Sequence, residues 1–107
     1  MSRKRINFLA SWVLFCGLAS PAHTQTADAA AGEAYAEKVC AQCHAIHRTG
    51  LSPEPTAPPF RNVAATPGMT ETALRVWLST SHPTMPNIVV EPQDMDNVIA
   101  YISTLRD

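Results

Sequence analysis

The chain lacks three features that would settle its class at once: an excess of charge of one sign, an apolar run long enough to span a bilayer, and the length for a second domain. Eight Lys and Arg stand against nine Asp and Glu, a net charge of -1, which excludes the basic footprint of a nucleic-acid-binding domain. The longest apolar run, residues 8–19, has twelve residues, against the roughly 20 that a membrane-spanning helix needs. At 107 residues the chain holds one small domain and excludes a multidomain enzyme. It has no internal repeat and no credible pair of strands, since the one β-branched run, Ile88-Val89-Val90, is short and lies next to prolines. An apolar content of 46% argues against disorder.

The N-terminus reads as a leader. Arg3, Lys4 and Arg5 precede the apolar run, and Ser20-Pro21-Ala22 follows with small residues, the pattern of a cleavable secretory signal peptide over residues 1–24. Cys16 would leave with it, and Phe15 before it is too large for a lipoprotein signal. The expected mature protein is periplasmic, has no membrane span, and keeps five basic residues against nine acidic ones, a net charge of -4. Residues 25–31 are expected to be a flexible lead-in to a domain over residues 32–107. A domain of about eighty residues buries little core and often needs a disulfide, metal or cofactor. Cys40 and Cys43 are only three positions apart, and a bridge closing so short a loop restrains little of the unfolded chain.

The periodicity predicts three to four short helices. The first runs from Gly32 to about Gln42, with Glu33 and Glu37 toward its N-terminal side and Tyr35 and Val39 four apart. Residues 49–59 carry four prolines in eleven positions, which forces a stiff irregular loop; a short turn of helix over residues 61–65 can follow. Thr70 is placed to cap a third helix reaching about Thr80, with Leu74, Trp77, Leu78 and Ser81 on one face. Residues 82–90 read as an extended strap containing Pro83 and Pro86. The last helix starts at Pro92, a favourable first helical residue, after the weaker cap Glu91. Met95, Val98, Ile102 and Leu105 give it one apolar face.

Chemistry concentrates at Cys40-Ala41-Gln42-Cys43-His44. This C-x-x-C-H spacing marks covalent attachment of a c-type haem. Two cysteines three apart at a helix end can reach two vinyl groups on neighbouring edges of one porphyrin, and the adjacent His can turn its imidazole under the iron. A thioredoxin-like dithiol is the first competing reading, but it needs a βαβ context that this helical pattern lacks. Zinc would need four ligands, which Cys40, Cys43, His47 and His82 could supply without the support of a second ligand pair. A plain disulfide is the third.

A second iron ligand must come from elsewhere in the chain. Met85 is favoured because it lies on the proline-flanked strap, whose rigidity would hold a weak thioether ligand. Met1 leaves with the leader, whereas Met69 and Met95 suit core packing. His82, three residues before Met85, is the rival, and an open sixth site is the remaining alternative.

These residues resemble the class I c-type cytochromes, small soluble bacterial cytochromes c, over about residues 32–106. The resemblance implies an all-α cytochrome c fold, with short helices and irregular Pro-rich loops wrapped around one covalently bound haem c. It pairs Gly32, eight residues before Cys40, with an aromatic of the last helix, here Tyr101 in Val98-Ile99-Ala100-Tyr101-Ile102. Ala57-Pro58-Pro59-Phe60 is similar to the family's proline loop, so the Pro58 carbonyl is the implied acceptor for the His44 ring N–H, and Phe60 is implied to pack on the porphyrin. The resemblance also places Trp77 near the methionine side of the haem, with its N–H in reach of a propionate or a water. The loops between His44 and Met85 are short beside the long mitochondrial forms, so surface details do not carry over.

His44/Met85 ligation fills both axial positions and leaves no place for oxygen or substrate. The expected function is therefore electron transfer and not an enzymatic reaction. A periplasmic monomer would shuttle single electrons from a dehydrogenase or quinol-oxidising complex to an oxidase or reductase. A dedicated haem subunit of a periplasmic dehydrogenase is the alternative, as is a haem-based sensor or small enzyme if the sixth ligand is labile. His47 and Arg48 are candidates for the docking rim.

Overall fold

Four α-helices and no strands form among the described residues of the computed structural model, which describes residues 26–107: α1 (Ala29–Val39), α2 (Phe60–Ala65), α3 (Glu71–Ser79) and α4 (Pro92–Thr104). The expected signal peptide over residues 1–24, and Cys16 within it, lie outside the described residues. The segments between the helices are irregular, as their prolines demand, and residues 82–90 form no strand.

Helix α1 begins at Ala29, three residues before the predicted start at Gly32, because Asp28 caps it. The Asp28 carboxylate accepts hydrogen bonds from the backbone N–H groups of Ala30 and Ala31, which satisfies two of the donors that a helix start leaves free. The helix also stops at Val39 rather than Gln42, so Cys40 is its C-cap and the attachment motif occupies the turn that follows. There the N–H groups of Cys43 and His44 both donate to the Cys40 carbonyl, at 3.1 and 2.9 Å.

Helices α1 and α4 share the most extensive helix–helix contact, and α2 and α3 also pack on α4. Helix α4 supplies much of the core: Met95, Val98, Ile99, Tyr101 and Ile102 are buried, and Leu105 just past its end joins them with Ala36, Ile46, Phe60, Ala64 and Leu74. Each fully buried aliphatic side chain of this set contributes roughly 1.5–3 kcal/mol. The crossing of α1 over α4 requires glycine. A Cβ on Gly32 would lie 2.0 Å from the Asn97 oxygen and 2.9 Å from the Val98 nitrogen.

The tightest approach thus falls on the α4 backbone at Asn97, one turn before Tyr101. The Tyr101 hydroxyl donates to the Ile46 carbonyl at 2.9 Å, tying α4 to the segment that leaves the attachment motif. Asn97, the buried polar residue of the core, accepts from the Asp28 N–H at 2.8 Å and from the Gln93 side chain at 3.0 Å. This link pins the start of α1 to α4.

Helix α3 starts as predicted, with the Thr70 hydroxyl accepting from the Ala73 N–H. Its predicted apolar face divides: Leu74 is buried and Leu78 packs against the core, whereas Trp77 is 51% exposed and Ser81 is exposed. The tryptophan is turned toward the strap. Beyond α4, Arg106 donates to the carbonyls of Ala64 and Met69, fastening the end of α2 and the turn before α3 to the C-terminus.

Candidate haem site

The attachment turn places three donor groups side by side. Cys40 and Cys43 are half-buried free thiols, not a disulfide. Burial pushes the Cys40 thiol up to about 11 from 9.0. The thioredoxin-like reading also lacks its βαβ context, since the described residues form helices and no strand.

His44 is oriented from below by the proline loop. Its Nδ1–H donates to the Pro58 carbonyl at 2.7 Å, which fixes the tautomer and leaves Nε2 with a free lone pair, the arrangement of a metal-ligating histidine. The loop itself is held to the motif by main-chain bonds: the Glu54 N–H donates to the Cys43 carbonyl at 3.1 Å and the Phe60 N–H to the Ala45 carbonyl at 2.9 Å. The Ser52 hydroxyl adds a third tie by accepting from the Ala45 N–H. Phe60 is buried with its ring centroid 5.4 Å from that of His44, tilted by 47°.

A second group assembles on the strap. His82, half-buried, forms a T-shaped pair with Trp77, the ring centroids 5.2 Å apart and the planes at 80°. Its Nδ1–H donates to the Thr80 carbonyl at 3.1 Å, and its Nε2 lies 2.9 Å from the Met85 sulfur. Thr84 precedes Met85 with φ of 74°, a left-handed conformation costly for a β-branched residue. The strain is localised where the strap aims the sulfur. Trp77, Leu78, His82, Met85, Val90 and Met95 border a cavity of about 340 Å³; Cys40, Cys43 and His44 do not.

The structure thus joins His44, Pro58 and Phe60 in one cluster, and Trp77, His82 and Met85 in another. Met69 packs against the core, and Met95 lies within it, accepting from the Ser79 hydroxyl at 3.6 Å. Met85, by contrast, lies outside the core cluster, on the strap beside His82. Missed in the sequence were the Asp28 cap, which an Asp before an Ala-rich run signals, and Asn97, for which no local signal exists.

A thiol pair on one turn, an imidazole with Nδ1 engaged and Nε2 free, and a thioether on a stiff strap form the donor set of a covalently attached haem. Fold and donor set together define a small c-type cytochrome. The profile of the family described as "Cytochrome C oxidase, cbb3-type, subunit III" matches residues 27–102, and the chain belongs to this family of cytochrome c domains. It is also 31% identical over 80 residues to cytochrome c-552 of Bradyrhizobium diazoefficiens, covering 75% of this chain and 77% of that protein. No solved structure matches the chain significantly. Membership implies covalently bound haem c and an electron-carrying role. No helix among the described residues is long and apolar enough to cross a membrane.

Proposed function

We propose that the protein is an exported, periplasmic one-electron carrier holding one haem c through thioether bonds to Cys40 and Cys43, with His44 and Met85 as axial ligands. When bound, the haem supplies the one-electron couple of its iron. The hydrogen bond from His44 Nδ1 to the Pro58 carbonyl carries this reading, since it presents Nε2 as a ligand beside the two thiols. Pro58 and Pro59 keep that acceptor rigid, and Phe60 closes the same side with an apolar face. Met85 on its proline-flanked strap would complete the axial pair and keep small molecules off the site. Trp77 would cover the methionine side.

The acidic mature charge supports docking on a partner with positive charge near its redox centre. The description of the family as an oxidase subunit supports a haem-containing oxidase as the acceptor class, with a dehydrogenase or quinol-oxidising complex as donor. The leader at residues 1–24 supports export.

A second reading is favoured by one observation. With Nδ1 bound to the Thr80 carbonyl and Nε2 beside the Met85 sulfur, His82 is also presented as a ligand, which would make the site bis-histidine. The test is a visible spectrum of protein exported with the haem-attachment machinery. The weak far-red band of iron–thioether coordination in the oxidised form, with no response of the reduced form to carbon monoxide, is expected for His44/Met85. Covalently bound haem without that band moves the assignment to His82 if the reduced form still ignores carbon monoxide, which keeps the carrier role, or to an open site if it binds carbon monoxide, which brings in sensing or catalysis.

A further inference from the structure

On the face of the molecule where α1 meets the segment leaving the attachment motif, Glu33, Glu37 and His47 bring two carboxylates and an imidazole nitrogen to within 4.8 Å of one another. We propose that these three residues form a site for a divalent transition-metal ion, of which Zn²⁺ is the best fit, distinct from the haem site.

The donors come from two separately anchored elements. Glu33 and Glu37 are one turn apart on α1, so both point along one helix face. His47 is held opposite them because Ile46 beside it is buried and its carbonyl accepts from the Tyr101 hydroxyl at 2.9 Å. His47 Nδ1 lies 3.4 Å from the Glu33 carboxylate. Tetrahedral zinc with nitrogen and oxygen ligands at about 2.0–2.2 Å sets neighbouring ligand atoms about 3.3–3.5 Å apart, so this pair already spans one edge of the polyhedron. A side-chain rotation of Glu37 brings in the third donor, and water takes the fourth place. One nitrogen with two carboxylate oxygens suits zinc better than a hard cation, which prefers oxygen alone.

The local field favours a cation. Burial first, and then the charges of Glu33 and Glu37, raise the Tyr101 phenol beside them, with Arg48 acting in the opposite sense; the Arg48 guanidinium itself is engaged by the Thr104 carbonyl and the Asp107 carboxylate. An ion here would clasp α1 to the far end of the turn that contains Cys40, Cys43 and His44. Binding to the folded state alone stabilises it by mass action.

The experiment is calorimetric titration of the haem-loaded protein with zinc chloride, paired with thermal unfolding with and without zinc. One ion per chain and a raised unfolding temperature are expected. Glu37→Gln and His47→Ala should each weaken binding by at least about tenfold and remove the zinc-dependent shift, whereas Glu71→Gln at the start of α3 should change neither. All three positions are exposed, and an unchanged haem spectrum of each variant reports that it folds. No saturable binding up to about 1 mM zinc, or affinity unaltered by either substitution in the triad, overturns the proposal.

Discussion

Gly32 meets the carbonyl of Asn97 with no room for a side chain: a Cβ there would stand 2.0 Å from the oxygen. Both sides of the contact are backbone, so neither can turn away. The Gly32→Ala substitution would gain about 1 kcal/mol of helix propensity, but separating α1 from α4 outweighs that. A net loss of about 2–3 kcal/mol is expected, measured by urea unfolding of the haem-loaded protein. Unchanged stability would mean that the helices cross elsewhere.

The Tyr101 hydroxyl ties α4 to the segment that leaves the attachment motif. Tyr101→Phe should cost about 1–3 kcal/mol, because the Ile46 carbonyl loses its donor in the buried core. The substitution also has a signature in pH. Burial first, and then the Glu33 charge and its hydrogen bond, hold the phenol above its ordinary 10.0. The unfolded chain therefore loses this proton before the folded one. The contribution is intact below about pH 10 and is lost as pH rises through the raised folded value. Tyr35 shifts in the same direction, so Tyr101→Phe should remove only part of the alkaline loss seen in unfolding curves collected from pH 8 upward.

The two candidates for the sixth ligand are separated by a pair of variants. Met85→Ala should open the iron to carbon monoxide and lower the reduction potential, while the haem stays attached. His82→Asn should leave the far-red thioether band in place. The opposite pattern, with Met85→Ala silent and His82→Asn altering the spectrum, would assign the ligand to His82.

Charge is expected to govern docking. With nine acidic residues against five basic ones over residues 25–107, electron transfer to a cognate partner should slow steeply as ionic strength rises, since salt screens exposed charges beyond about 10 Å at 0.1 M. Stopped-flow rates measured across a salt series check this. A flat profile would point to an apolar contact instead, for which the half-exposed Trp77 and Val76 are available on α3.

Much of this molecule is written locally in the chain. The C-x-x-C-H spacing identifies the cofactor chemistry because thiol positions on one turn are set by sequence separation alone. Thr70 and Pro92 mark helix starts because capping and proline geometry act within a single turn. The apolar spacing of α4 shows its buried face, since helical periodicity is a property of the backbone. The cap at Asp28 was equally local.

Tertiary structure decided what no local pattern encodes. The Gly32 crossing falls on Asn97 because the approach of two helices depends on how both pack. Trp77 faces His82 rather than the core, an outcome of the strap's path. Asn97, spaced like any polar residue on a helix, is buried because the start of α1 lies over it with an N–H to satisfy. Glu33, Glu37 and His47 meet only because the turn after α1 folds back on that helix. Residues distant in sequence become neighbours through the packing of the whole chain, and their joint chemistry exists only once it is folded.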